Sequence, residues 1–227
     1  RPCYSQKAKL TQYSIIPTAS NNVPVVEKER FTARKITTPS GKTVLDFGQN
    51  IAGYVSFRCN AKAGQKITLR FGEMLDQKGE FTQENFQLTM GKKTTPLQKV
   101  EYTCKEGLNE YKTTFAVFGF QYALVEADFE IDPSDFTSIA VYSDLEQIGF
   151  FDCSHPLINR LVDATIWSAK GNHLDVPTDC PTRERHAWTG DAQIFFETAN
   201  YMFDYAGFSL KYLRDIYDWQ MKSGRLP

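Results

Sequence analysis

A β-sandwich followed by an α-helical segment is the fold class that the sequence predicts, on three observations. Up to about residue 143, apolar and polar side chains alternate with period two between Gly-bearing turns. From about residue 155 the apolar residues recur at three- and four-residue spacing instead. The length, 227 residues with 41% apolar and 23% charged side chains, is enough to bury a core in one large domain or two modest ones. Residues 1–143 are therefore assigned to an antiparallel sandwich with an extended lead-in, and residues 144–227 to helices.

The elements follow in order. The first thirty residues, with Pro17 and Pro24, read as extended chain. Tyr54 to Cys59 places Val55, Phe57 and Cys59 on one face, and Ile67 to Phe71 alternates in the same way. The connection Ala61 to Gln65 contains Gly64 and suits a hairpin, and Asp76-Gln77-Lys78-Gly79 suits a second turn. Further strands are expected over 98–104, 111–116, 120–127 and 137–143. Ser154 is expected to cap a first helix opening on His155-Pro156, where proline is tolerated, with Leu157, Leu161, Ala164, Ile166 and Trp167 at helical spacing. A second helix is expected over 189–205, capped by Thr189 and striped by Ile194, Phe195, Thr198, Met202 and Phe203. A third is expected over 207–222, with Phe208, Tyr212, Leu213, Ile216, Tyr217 and Met221 facing inward. Three helices cannot close a helical barrel, so the C-terminal part reads as an incomplete domain.

Composition removes several function classes. Lys+Arg total 26 against 27 Asp+Glu, which leaves no basic surplus for nucleic acid. No apolar run reaches the roughly 18 residues of a spanning helix, so no membrane partner is expected. Of the five cysteines (Cys3, Cys59, Cys104, Cys153 and Cys180), none forms a C-x-x-C pair, and most are expected to be buried free thiols. His155, His173 and His186 lack zinc spacing, no Asp-rich calcium loop occurs, and no phosphate loop is present, so neither metal nor cofactor is expected. The opening Arg1-Pro2-Cys3-Tyr4 does not look like a signal peptide; the compartment stays open.

Between the first two helices, residues 175–191 concentrate charge: Asp175, Asp179, Glu184 and Asp191, with Arg183, Arg185, His186 and Trp188. Pro177 and Pro181 keep this stretch out of continuous helix, and loops between rigid elements often carry function. Carboxylates and guanidinium groups pair with sugar hydroxyls, and an indole stacks on a sugar face. Asp179 and Asp191 could each accept two hydroxyl hydrogens. Glu184 could serve as a general acid opposite a second carboxylate across the ring. A solvated loop of ion pairs capping helices is the alternative at this point.

Asp179-Cys180-Pro181-Thr182-Arg183-Glu184-Arg185, followed by Trp188-Thr189-Gly190-Asp191-Ala192, resembles the signature of bacterial α-L-rhamnosidases, glycoside hydrolase family 78. Asp46-Phe47-Gly48-Gln49-Asn50-Ile51-Ala52-Gly53, Gly72-Glu73-Met74-Leu75-Asp76 and Phe118-Gly119-Phe120-Gln121-Tyr122 resemble the sandwich that precedes the catalytic barrel in that family. Phe151-Asp152-Cys153-Ser154, Asp218-Trp219-Gln220 and Gly224-Arg225-Leu226-Pro227 fit as well. The likeness covers about residues 40–227. Gln121 stands where arginine is usual and Ala187 where glycine is common. Arg183 is followed directly by Glu184, whereas family members often carry an extra acid between them.

The resemblance implies Glu184 as general acid, with Asp179, Arg183, Trp188 and Asp191 binding rhamnose. It implies hydrolysis of terminal α-L-rhamnose with inversion on an (α/α)6 barrel whose truncated start is residues 144–227. The general base would be a Glu far downstream, outside this chain, which leaves the fragment inactive by itself. Its helices, short of their barrel partners, point to self-association. A carbohydrate-binding sandwich and a purely structural one are the alternatives. His186 and Glu73 are assigned to packing and support.

Overall fold

The computed structural model describes residues 19–20, 23–87, 89–94 and 97–226. Cys3, Pro17, Pro227 and most of the expected lead-in lie outside the described residues.

Among the described residues, ten strands precede the first α-helix: β1 (Val25–Thr32), β2 (Arg34–Thr37), β3 (Thr43–Ala61), β4 (Lys66–Gly72), the short β5 (Thr89–Met90) and β6 (Lys93–Thr94), β7 (Lys99–Thr103), β8 (Gly107–Lys112), β9 (Phe118–Ala127) and β10 (Phe136–Ser143). Eight of them form one antiparallel sheet in the order β1-β10-β3-β9-β4-β7, with β2 and β8 also on β3. The sheet curls because β3 is long enough to serve both halves. Its first part pairs with β2 and β9, and its second with β10 and β8. Leu45, Ile51, Val55, Phe57, Ile67, Phe71, Phe120, Phe136 and Ile139 fill the space between the layers. Phe71 stacks on Phe118 with ring centroids 4.4 Å apart.

The loop at 61–65 is not a hairpin. β8 holds the edge of β3 over residues 56–61, so β4 pairs with β9, which separates it from β3. The strand expected over 111–116 lies earlier. β8 pairs with β3 from Gly107 to Lys112, and Phe115 is fully exposed. Among the described cysteines, Cys59 and Cys104 are buried as expected, whereas Cys153 and Cys180 are only partly so.

Among the described residues, three α-helices follow: α1 (Pro156–Asn172), α2 (Thr189–Met202) and α3 (Ala206–Asp218), with a two-strand turn, β11 (His173–Leu174) and β12 (Val176–Pro177), after α1. The expected caps are displaced. His155, not Ser154, flanks α1, and Trp188, not Thr189, flanks α2, neither with a side-chain cap. Asn159 fastens the start of α1 instead: it accepts from the Cys153 N–H at 2.9 Å and donates to the Cys153 carbonyl at 2.8 Å. The second and third helices also stop short of 205 and 222.

One face of α1 lies on the sheet. Trp167 meets Phe31 edge-on at 5.8 Å, and Lys170 sits 4.5 Å over the Trp167 ring. The same ammonium pairs with Glu29 at 2.7 Å, and Glu29 also accepts from the Tyr142 hydroxyl at 2.8 Å. A second small core joins Ala199, Tyr205 and Phe208. His173 ties it to α1. Its Nδ1 can only donate to the Ala169 carbonyl, at 2.6 Å, which leaves Nε2 to accept from the Tyr205 hydroxyl at 2.9 Å. Burial pushes this imidazole below its ordinary pKa.

The expected inward faces are only half buried. Phe203, Phe208 and Tyr212 are inside, but Leu157, Leu161, Ile194, Leu213, Tyr217 and Met221 are exposed, Tyr217 at 75% and Ile194 at 85%. Each stripe is apolar over a wider arc than its neighbours in this chain cover.

Candidate active site

The loop from Thr178 to Trp188 is held at both ends and in the middle. Before it, Asp175 takes a left-handed conformation (φ 65°) between β11 and β12, and Lys211 of α3 clamps its carboxylate at 2.8 Å. Asp179 then closes the loop on itself: its N–H donates to the His186 carbonyl at 3.1 Å and its Oδ1 accepts from the His186 N–H at 2.9 Å. Arg185, at the turn back, is also left-handed (φ 54°). Tyr212 of α3 donates to the Ala187 carbonyl at 3.0 Å.

The middle of the loop is nailed to the sheet. Thr182 is buried, and its carbonyl accepts from the side-chain amide of Gln98. Pro181 and Thr182 lie directly over Gly119 of β9, where any Cβ would stand 2.5 Å from the Thr182 methyl. Arg185 reaches the Val117 carbonyl at 3.3 Å. The sheet therefore sets the height of the loop, and glycine at 119 allows the close approach.

This anchoring brings all five expected residues together. Asp179, Arg183, Glu184, Trp188 and Asp191 line one open depression of about 520 Å³, with Cys180 and Gly190. Glu184 is the most constrained. Its Oε1 accepts from Arg183 at 3.0 Å, its Oε2 from the Trp188 indole at 2.9 Å, and its N–H donates to the Cys180 sulfur at 3.4 Å. Its side chain is 20% exposed. Asp191 sits in the first turn of α2, where the helix dipole favours a carboxylate. Trp188 is half exposed and rests against His186, ring to ring at 5.6 Å.

Two expectations need adjusting. Asp179 already spends one acceptor site of Oδ1 on closing the loop, which leaves its other lone pairs for a ligand. Cys180 is one of the cysteines that depart from the expectation that most are buried: it lines the depression. Sequence reasoning missed Gln98 and Gly119 as supports of the loop. Gly119 lay inside a quoted motif, but neither carries a local signal for a contact so distant along the chain.

Chemically, the depression offers carboxylates and a guanidinium for hydroxyl groups, an accessible indole for an apolar face, and one carboxyl, Glu184, flanked by two donors. That is a set suited to a neutral, hydroxylated ring. The donors on Glu184 would also stabilise the carboxylate left behind if it gave up a proton.

Known proteins agree in kind. The family model described as the bacterial alpha-L-rhamnosidase concanavalin-like domain matches residues 36–142, and that of the bacterial alpha-L-rhamnosidase 6 hairpin glycosidase domain matches residues 146–227. An alpha-L-rhamnosidase of Alteromonas sp. (strain LOR) is 33% identical over 219 residues, covering 91% of this chain and 22% of its own length. One from Streptomyces avermitilis is 35% identical, covering 88% of this chain and 19% of its own length. Among solved structures, the native rhamnosidase from Aspergillus terreus superposes with a TM-score of 0.81 at 35% identity over 89% of this chain and 23% of its own. The Streptomyces avermitilis alpha-L-rhamnosidase complexed with L-rhamnose does so with a TM-score of 0.82 at 33% identity over 90% of this chain and 20% of its own. The chain thus spans about a fifth of the length of the relatives it matches.

Proposed function

Because the chain belongs to the bacterial α-L-rhamnosidase family, we propose that it carries the acid side of a site hydrolysing terminal α-L-rhamnosides with inversion. In this reading residues 1–143 are the scaffold and residues 144–227 open the catalytic barrel. Glu184 is the general acid, and Asp179, Arg183, Trp188 and Asp191 hold the rhamnose. The observation that carries the reading is the single depression lined by all five.

Both Glu184 oxygens accept in the free protein, and each keeps a second lone pair that can carry a proton. A rhamnose hydroxyl that recruits Arg183 frees Oε1 to direct that proton at the ligand. The proton passes to the glycosidic oxygen as the bond to the leaving group breaks, and the remaining carboxylate regains its Arg183 donor beside that of Trp188. An inverting reaction also needs a base about 6.5–9.5 Å away with a water between. Asp179 and Asp191 are assigned to sugar hydroxyls, so we infer that the base comes from beyond these 227 residues and that the isolated chain does not turn over. Its outward apolar stripes, Leu213 and Tyr217 of α3 among them, pair with those of a second copy when the chain is alone.

The test is Glu184→Gln in the protein of the length its relatives have, assayed on p-nitrophenyl α-L-rhamnoside. The expected result is a loss of about 10²–10⁴-fold in kcat with little change in rhamnose affinity. Retained activity would remove Glu184 from the role of acid.

A further inference from the structure

A second cleft opens beside the loop, where the sheet meets α1. Its volume is about 280 Å³, and its lining includes Gln49, Asn50, Glu73, Trp167, Asn172 and Pro181. Resting on the rhamnose reading above, we propose that this cleft is a second carbohydrate subsite, which takes the sugar unit to which the terminal rhamnose is bonded.

The sheet is deformed to present two of these side chains. Between the pairs Asp46↔Tyr122 and Ile51↔Phe120, residues 47–50 of β3 stand opposite Gln121 alone. Gly48 is left-handed there (φ 77°). Buried Asp46 fastens the bulge, accepting from Arg34 at 2.6 Å, from the Gly48 N–H at 2.8 Å and from Gln121 at 3.0 Å. Such bulges re-aim side chains out of the regular pleat, and here they carry Gln49 and Asn50 to the cleft.

The opposite wall is equally arranged. Glu73 is oriented from two sides: its Oε2 accepts from Asn85 at 2.6 Å and its Oε1 from Asn50 of the β3 bulge at 3.4 Å. Trp167 is steadied by Phe31 and Lys170 and adds indole surface. Side-chain amides beside a carboxylate match the mixed donors and acceptors of sugar hydroxyls. The indole matches a sugar's C–H face, and Glu73 disfavours an anionic ligand.

The cleft and the Glu184 pocket flank a common set of residues. A smaller cavity of about 180 Å³ shares Ser168 and Asn172 with the cleft and shares Asp179 and Asp191 with the pocket. In this proposal the unit bonded to a rhamnose beside Glu184 lies on the cleft side of those shared residues. That makes the sheet a contributor to recognition as well as the support of the loop.

The chain has three tryptophans, so ¹⁵N NMR of the indole N–H signals, assigned by single Trp→Phe variants, reads the two sites separately. L-rhamnose alone is expected to shift the Trp188 signal and leave Trp167 unmoved. Rutinose, rhamnose linked to glucose, is expected to shift both signals together with the side-chain amides of Gln49 and Asn50. In the double variant Gln49→Ala, Asn50→Ala, the Trp167 response to rutinose should weaken at least fivefold, with the Trp188 response to rhamnose and the melting temperature unchanged. Rutinose that moves Trp188 but not Trp167, or a Trp167 response undiminished in the double variant, overturns the subsite alone. A Trp167 response to rutinose without any Trp188 response supports the subsite and overturns the rhamnose pocket. No response at either indole overturns both.

Discussion

Adding one methyl group at residue 119 tests how the sheet holds the loop. An alanine Cβ there would stand 2.5 Å from the Thr182 methyl, 2.8 Å from the Pro181 ring and 3.2 Å from the Pro181 carbonyl carbon. Carbon atoms in ordinary contact lie about 3.5–4.0 Å apart, so the loop has to retreat by about 1 Å. β9 cannot yield in its place, because Phe118, Gly119 and Phe120 are paired to Gly53, Ala52 and Ile51. The retreat stretches the bond from Gln98 to the buried Thr182 carbonyl. Overpacking of this kind costs about 1–3 kcal/mol, and a buried carbonyl losing its donor adds about 1–3 kcal/mol. Gly119→Ala should therefore lower the melting temperature by on the order of 10 °C, at about 2–4 °C per kcal/mol for a chain of this size. Gly190→Ala is the matched control. Nothing lies within 4 Å of a Cβ at that position, which is in the first turn of α2, so the same methyl should stabilise by about 0.4–1 kcal/mol. Thermal unfolding followed by circular dichroism measures both. A Gly119→Ala protein melting within about 2 °C of wild type would refute the docking described here, and an equal fall in Gly190→Ala would show that the site plays no part.

Other outcomes follow from the same contacts. His173 is buried and neutral with its pKa held below the ordinary 6.5, so the unfolded chain takes up its proton first on acidification. Stability is full above pH 6.5 and falls as the pH drops from there toward the depressed folded value, by at most about 1.4 kcal/mol per pH unit. Melts between pH 7.5 and 5.5 should show this slope in wild type and lose it in His173→Phe. At Glu29, burial works to raise the carboxyl pKa, but Lys170, the Glu29 N–H and the Tyr142 hydroxyl outweigh it and hold it below the usual range. Lys170→Met should cost about 1–3 kcal/mol in urea unfolding by leaving that carboxylate underpaired. Adding Glu29→Gln should recover part of the loss; strict additivity would mean that the pair is not coupled. Sedimentation of the isolated chain should show concentration-dependent association, abolished by Leu213→Glu with Tyr217→Glu. A wild-type chain that stays monomeric at high concentration would remove the self-pairing of these faces.

Sequence alone determined the kinds of element and supplied the residues proposed for the site. Period two in Tyr54 to Cys59 and period 3.6 in α1 to α3 are local properties that a chain imposes on itself. The five residues that the family resemblance assigned to the site lie within 179–191, so one short loop and the start of one helix could gather them. Tertiary structure decided what those local patterns could not specify. Every strand with an apolar face looks alike to a prospective neighbour, so β8 and β10, claiming β3, displaced β4 to β9 and undid the hairpin at 61–65. An apolar stripe declares that a face wants cover without saying what covers it, hence Phe208 and Tyr212 inside and Leu213 and Tyr217 out. Gln98, just before β7, and Gly119, in β9, support the Glu184 loop from far away in the chain, and such a contact is created only when the sheet closes and two surfaces meet at van der Waals distance.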